Sequence, residues 1–291
     1  MSIRILKPGL LDTVQDAGRY GYQHWGINPG GAADSVASSV ANALVGNNDN
    51  EAVIELHYPA ATIQFEEDAL IALSGADFTA TINDTPVTLN TPVFVPNNSV
   101  LVFTKPVKGY RCYLSVQGGF AINSWLGSRS TNIKAGAGGY KGRKLLADDD
   151  IDFKTAFNYP ALLKDRPFFP LGWKADLREL YSKQGVLHIC AGHEYEQLTG
   201  ASKDLLVHAP FTITAEADRM GCRLSGIPLQ VKMPESLVSA GVTAGTMQLL
   251  PTGQLIILCA DHQTTGGYPR IGHVISADRH LLTQLGPGAY M

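Results

Sequence analysis

The stretch Leu255–Arg270 (LIILCADHQTTGGYPR) carries the densest set of groups able to do chemistry. An apolar run ends at Asp261, and Gln263, Thr264, Thr265, Gly266, Gly267 and Tyr268 follow at once. A buried strand that delivers carboxylate, amide and hydroxyls into a glycine-hinged loop is a common way to build a site. Asp261 is the candidate base or orienting group, with Thr265 as a catalytic hydroxyl. Gln263, Thr264, Gly266, Gly267 and Tyr268 are candidate substrate contacts. A second group lies in Ala215–Arg223 (AEADRMGCR), where Asp218 stands beside Arg219 ahead of Gly221. These two are either substrate-binding residues or a structural ion pair that pins a turn.

The region Val116–Arg143 holds VQGGF, LGSRSTN and KAGAGGYKGRK in succession. Ser128, Ser130 and Thr131 place hydroxyls around Arg129, a combination suited to a carboxylate or phosphate because arginine binds either with two parallel N–H donors. Arg129 is therefore a catalytic candidate, and the three hydroxyls are candidate substrate contacts. Gly138, Gly139, Lys141 and Arg143 form a flexible basic loop, a candidate phosphate site whose plainer reading is a solvated turn. It fits neither the Walker A spacing nor G-x-G-x-x-G. In Val14–Asn47, Asp16 and Arg19 flank Gly18, and Pro29-Gly30-Gly31 leads into a helix start. Such a glycine pair lets the backbone approach an anion or a partner chain, or merely begins the helix.

Other chemistries find no support. His193-Glu194 begins a zinc-protease pattern, but Gln197 stands where the second histidine must be. The histidines have no metal-ligand spacing, so no metal site is expected. There is no G-x-S-x-G elbow. Gln230-Val231-Lys232-Met233 has only a superficial likeness to a biotinylation hairpin, with valine before the lysine.

The elements that must position these groups read mostly as short strands bounded by Gly, Pro, Asn or Asp. Candidates include Arg4–Leu6, Ala52–His57, Thr62–Phe65, Ala69–Leu73, Arg111–Val116, Val186–Cys190, Leu229–Lys232, Met247–Leu250, Leu255–Cys259 and Ile271–Ile275. Three helices are expected. One is capped by Asp34 and runs to Leu44 with Val36, Val40 and Leu44 on one stripe and Gly46 as its stop. The others lie near Lys174–Ser182 and Ala277–Leu285. This pattern favours closed β-barrels with a few covering helices over alternating βαβ units.

A weak repeat accompanies it. Arg19, Gly21, Gly26 and Ile27 recur as Arg219, Gly221, Gly226 and Ile227, four identities in nine positions. Ile3–Gly9 is echoed by Leu187–Gly192, and Leu70–Asp77 by Leu255–Asp261. The order suggests two related β-rich halves, 1–157 and 186–291, joined by a connecting segment 158–185 with a short helix.

The chain has 291 residues, 45% hydrophobic and 17% charged, with net charge −3 and no Lys/Arg-rich run. Nucleic-acid binding has no electrostatic footprint here. No apolar run approaches the roughly 18 residues of a membrane span, and Met1–Arg4 opens no signal peptide. Cys112, Cys190, Cys222 and Cys259 form no C-x-x-C pair and read as reduced, buried thiols of a cytoplasmic protein.

Taken together, VQDAGR, PGGAAD, ANALVGN, LSGAD, VQGGF, LGSRST, DRMGCRL and ADHQTTGGYP resemble the biotin-dependent carboxyltransferase, or allophanate hydrolase subunit 2, family. That family also includes the C subunit of 5-oxoprolinase, part of urea carboxylase, and an antagonist of a sporulation-kinase inhibitor. The resemblance implies cyclophilin-like β-barrels in pseudo-repeated halves. It also implies a companion subunit of related β fold, with the active site in the groove between them. The leading implied activity is that of one subunit in an ATP-dependent 5-oxoprolinase, with ATP and Mg2+ used by the whole complex and a third, lactam-opening subunit. Arg129 and the basic loop would then hold phosphate. The alternatives are carboxylation of urea or a related amide with carboxybiotin, Asp261, Gln263 and Thr265 binding the ureido ring, or a regulator that binds a kinase-inhibitor protein. The family pattern also implies a further strand after Leu285, where this sequence stops at Met291.

Overall fold

Apolar runs separated by glycine, proline and asparagine turns become strands, so the mainly β reading with few helices is correct. The computed structural model describes residues 2–155, 168–182, 185–233 and 237–291. It divides into two compact units: Met1–Arg19 with Gly30–Leu177, and Tyr20–Pro29 with Arg178–Met291. Of the connecting segment expected at 158–185, residues 158–167 and 183–184 lie outside the described residues.

The first unit contains β1 (Ser2–Lys7), β2 (Thr13–Gln15), β3 (Val53–Leu56), β4 (Thr62–Phe65), β5 (Ala69–Asp77) and β6 (Ala80–Ile82). It continues with β7 (Thr85–Pro86), β8 (Pro92–Val95), β9 (Val100–Phe103), β10 (Lys108–Val116), β11 (Asp150–Asp152) and β12 (Phe169–Pro170). They pair in the orders β11-β1-β4-β9-β6-β7 and β12-β8-β5-β10-β3-β2. The pairings among the described residues form open rows, not the closed rings expected from sequence. Ile3, Ile5, Ile63 and Phe65 from one sheet and Ile54, Leu56, Ile71 and Leu73 from the other belong to one buried core.

Helix α1 (Ser35–Leu44) starts where expected, with the Asp34 carboxylate accepting from the Ala37 N–H at 2.9 Å. It stops at Gly46, whose φ of +74° suits glycine. Its buried stripe is Ala37, Ser38, Ala41, Asn42 and Leu44, not the expected Val36 and Val40. Polar Asn42 is tolerated there because its amide donates to the Glu51 carbonyl and its oxygen accepts from Ser115.

The second unit contains β13 (Ile189–Ala191), β14 (Thr212–Ile213), β15 (Gly221–Ser225), β16 (Ala240–Gly241), β17 (Thr246–Leu249), β18 (Leu255–Leu258), β19 (Thr265–Gly266) and β20 (Arg270–Val274). Six form a sheet in the order β13-β20-β17-β18-β15-β14, while β16 and β19 pair separately. Met247, Leu249, Leu255 and Ile257 belong to its core. The expected helix near the end of the chain is present as a 3-10 turn, Ser276–Asp278, running into α3 (Arg279–Thr283). Residues 289–291 lie beside β14, with Phe211 and Met291 exchanging backbone hydrogen bonds at 2.9 Å.

Several expectations need correction. Residues 174–182 are irregular with one turn at 178–181, not a helix, and Leu229–Lys232 makes only an isolated bridge through Val231 to Leu198. Helix α2 (Gly200–His208) escapes sequence reasoning because only Ser202 and Leu206 are buried, leaving almost no apolar stripe. Its signal is the Thr199 cap, which accepts from the Ser202 N–H. Cys190 is exposed on the edge strand β13, not buried as expected. No helix among the described residues is long and apolar enough to cross a membrane.

Asp34→Ala should cost about 0.5–2 kcal/mol through loss of the cap. Urea unfolding of the full chain measures this, and Asp34→Asn should recover most of the loss.

Candidate functional site

The second unit gathers its polar groups where β18 leaves the core. Beyond Leu258, strand-like bonding continues: the Cys259 N–H donates to the Met220 carbonyl, and the Asp261 N–H to the Arg219 carbonyl at 2.8 Å. This brings the two side chains together. Arg219 Nε donates to Asp261 Oδ2 at 2.8 Å and a terminal nitrogen donates to Oδ1 at 3.1 Å. Their side chains are 4% and 17% exposed, so both charges are largely out of water. A bidentate pair is the geometry that makes such burial tolerable.

The neighbouring Asp218 is not the partner of Arg219. Its Oδ1 accepts from the Met220 and Gly221 N–H groups, forming the turn that opens β15. Asp218 pins the turn as the sequence suggested, but through backbone bonds rather than an ion pair.

After Asp261 the chain folds back over the outer face of β17. Gln263 Nε2 donates to Gln248 Oε1 at 3.2 Å. The Val242 N–H donates to the Thr264 carbonyl, and Thr265-Gly266 pairs with Ala240-Gly241. Thr265, Gly267 and Tyr268 are exposed. The loop is tied again at its far end. Arg270 donates to the buried Glu194 through Nε at 3.0 Å, a terminal nitrogen at 2.7 Å and its backbone N–H at 2.8 Å. Burial alone would raise the Glu194 carboxyl, but the Arg270 guanidinium and N–H outweigh it and hold it below the usual range. The contribution of this pair to stability is thus present above the ordinary glutamate pKa and is lost as pH falls through the lowered folded-state value.

In the first unit the serine-rich motif surrounds Asp16. Asp16 Oδ1 accepts from the hydroxyls of Ser128 (2.6 Å) and Ser130 (2.5 Å) and from the Gly18 N–H, while Oδ2 accepts from the Arg129 N–H. The Thr131 hydroxyl donates to the Val14 carbonyl. All three hydroxyl residues are fully buried, which commits them to holding two loops together. Gly138 and Gly139 have positive φ, and a Cβ on either would strike the Ser130 carbonyl or the Thr131 hydroxyl. Arg143 grips Asp149 with two bonds of 2.6 and 2.7 Å, and Lys141 lies 3.6 Å from the same carboxylate. The basic loop is therefore braced internally and is poorly suited to take nucleotide phosphate. Arg129 differs. Its side chain is 29% exposed, 3.9 Å from a Glu51 oxygen that Lys154 also contacts.

The two arginines of the sequence echo are both buried but serve differently. Arg19 donates to the Ser130 carbonyl and lies 4.7 Å from the Trp125 ring, whereas Arg219 grips Asp261. Sequence reasoning misses Glu194, met only inside a failed metal motif, and Gln248, which no local pattern marks. The position of Arg270 directly after Gly-Gly-Tyr-Pro is the one available signal for a loop anchor.

The family model for the carboxyltransferase domain, subdomain A and B, matches residues 25–291. The chain belongs to this family. This carboxyltransferase-domain chain is 35% identical to the C subunit of 5-oxoprolinase from Escherichia coli (strain K12), over 97% of its length and 87% of that protein. It is also 35% identical to the C subunit of 5-oxoprolinase from Haemophilus influenzae, covering 95% of this chain and 85% of the other. The crystal structure of the K. lactis urea amidolyase superposes with a TM-score of 0.88 at 26% identity, over 99% of this chain. The chain spans only 18% of that much longer protein.

Asp261→Asn should cost about 1–3 kcal/mol, because it takes the charge from a bidentate hydrogen-bonded pair that is largely out of water. Asp218→Asn, which keeps the accepting oxygen of the turn, should change stability by less than about 0.5 kcal/mol. Chemical unfolding of the two variants compares them directly.

Proposed function

We propose that this chain is a non-autonomous subunit of a heteromeric ATP-dependent 5-oxoprolinase, which opens the lactam of 5-oxoproline to glutamate. The observation that carries the reading is the carboxylate of Asp261, fixed by Arg219 at the base of a Gly-hinged loop rich in amide and hydroxyl groups. Near-full-length identity with two proteins named as the C subunit of 5-oxoprolinase supports the choice of reaction.

A lactam presents its N–H and C=O on the same edge of the ring. Asp261, with Arg219 occupying one side of its carboxylate, keeps lone pairs to accept that N–H and align the ring. Thr265 and Tyr268, exposed on the same loop, are the hydroxyls available to the oxygen or to attacking water. Arg129 of the first unit, whose guanidinium is partly exposed, is a separate candidate for holding a carboxylate or phosphate. Arg143 of the basic loop is engaged by Asp149, and in this reading ATP and Mg2+ are assigned to the complex as a whole. In this reading the enzyme works in the cytoplasm and is completed by a companion of related β fold and by a third, lactam-opening subunit.

A second reading follows from the superposition with urea amidolyase. There the same loop would bind the ureido group of carboxybiotin or urea, again an amide edge.

Co-expression with the companion subunits and assay of ATP hydrolysis decides between them. The first reading expects hydrolysis that depends on 5-oxoproline and falls at least about 100-fold in a complex carrying Asp261→Glu, whose longer side chain misplaces the carboxylate. Carboxybiotin-dependent turnover of urea without any response to 5-oxoproline would replace the first reading with the second.

A further inference from the structure

Beneath the middle of the loop lies a buried donor without an acceptor among the described residues. Gln248 stands on β17 between Met247 and Leu249, which belong to the core, so strand alternation turns its side chain to the outer face. There its Oε1 accepts from Gln263 Nε2. The other end, Nε2, is buried with no hydrogen-bond partner, and the residue is 1% exposed. Gly266 covers it: a Cβ on that glycine would stand 2.4 Å from Nε2. A buried unsatisfied N–H costs free energy that a leucine or methionine here would avoid.

The loop above is held more lightly at this point than at its ends. Its two ends are fixed by Arg219–Asp261 and Arg270–Glu194. Its middle holds Gly266-Gly267 and is attached through the short β16–β19 pairing and the Val242–Thr264 hydrogen bond. Lifting residues 264–267 would uncover Nε2 while Gln263 stays on Oε1.

We infer that Gln248 is a substrate-binding residue of the Asp261 loop, its Nε2–H reserved for the carbonyl oxygen of a small lactam or amide. This rests on the reading of that loop as an amide-handling site and narrows it. The carboxylate takes the N–H of the ligand, and the carboxamide takes its C=O. No bond is made or broken by Gln248, so its removal acts on binding and not on the chemical step.

The test uses the full chain assembled with its companion subunits, titrated with 5-oxoproline and with proline, which has the same ring without the carbonyl. The wild-type complex is expected to bind 5-oxoproline and not proline. Gln248→Leu should raise Kd and KM for 5-oxoproline about tenfold or more, with kcat little changed. The unliganded Tm should stay level or rise, because the orphan donor is gone. Gln248→Glu, which keeps the shape but replaces the donor with an acceptor, carries the same test should the leucine variant fail to fold. Unchanged affinity in either variant, or a fall in Tm without a change in affinity, overturns the assignment. If the wild type ignores 5-oxoproline, the same titration is run with 2-imidazolidone and acetamide. Binding of either that Gln248→Leu weakens sustains Gln248 while the lactam reading falls, and binding of none overturns both.

Discussion

The arrangement of the second unit depends on two arginine–carboxylate pairs that clamp one loop at both ends. Arg219 with Asp261 fixes the exit from β18, and Arg270 with Glu194 fixes the entry to β20. Each pair is bidentate, and three of the four side chains are at most 17% exposed, so breaking either pair costs stability. The clamps set where the loop begins and ends without dictating its middle. The exposed hydroxyls of Thr265 and Tyr268 and the Gly-Gly pair lie in that middle, held by the short β16–β19 pairing, with Gly266 above the amide of Gln248.

The first unit uses similar residue types for a different purpose. Asp16 draws Ser128, Ser130 and the Arg129 N–H inward, and the glycines of the basic loop pack against the Ser130–Thr131 backbone and hydroxyl. Asp149 pairs with Arg143 of that loop and lies 3.6 Å from Lys141. What resembled a phosphate-binding loop is a compact brace, and Arg129 remains the group with chemistry still to offer. The two carboxylates differ in their partners. Asp16 accepts four hydrogen bonds from its own unit, while Asp261 accepts two from one arginine.

Much of this is legible in the sequence because it is local. The Asp34 cap, the Gly46 stop, the apolar strands and the polar loop after Leu258 are each set by neighbours in the chain. The family motifs are equally legible, being contiguous runs such as LGSRST and QTTGGYP. What is not legible is pairing across long separations. Nothing local distinguishes Asp218 from Asp261 as the partner of Arg219; only the antiparallel register of β15 and β18 does so. Likewise Gln248 looks like an outward polar residue of a strand until the loop that buries it is in place. The expected helix at Lys174–Ser182 does not form although Leu177, Leu180 and Tyr181 are spaced for one face, and Leu180 stays exposed.

Amide hydrogen exchange of residues 262–268 tests most directly whether the Arg219–Asp261 pair holds the loop. It should be measured in the full chain, in Arg219→Ala, in Asp261→Ala and in the double variant. If the pair acts as one clamp, each single variant speeds exchange across 262–268 to a similar degree, and the double variant adds little to either. Exchange that is unchanged in the single variants, or that rises independently and additively in the double, would contradict the account.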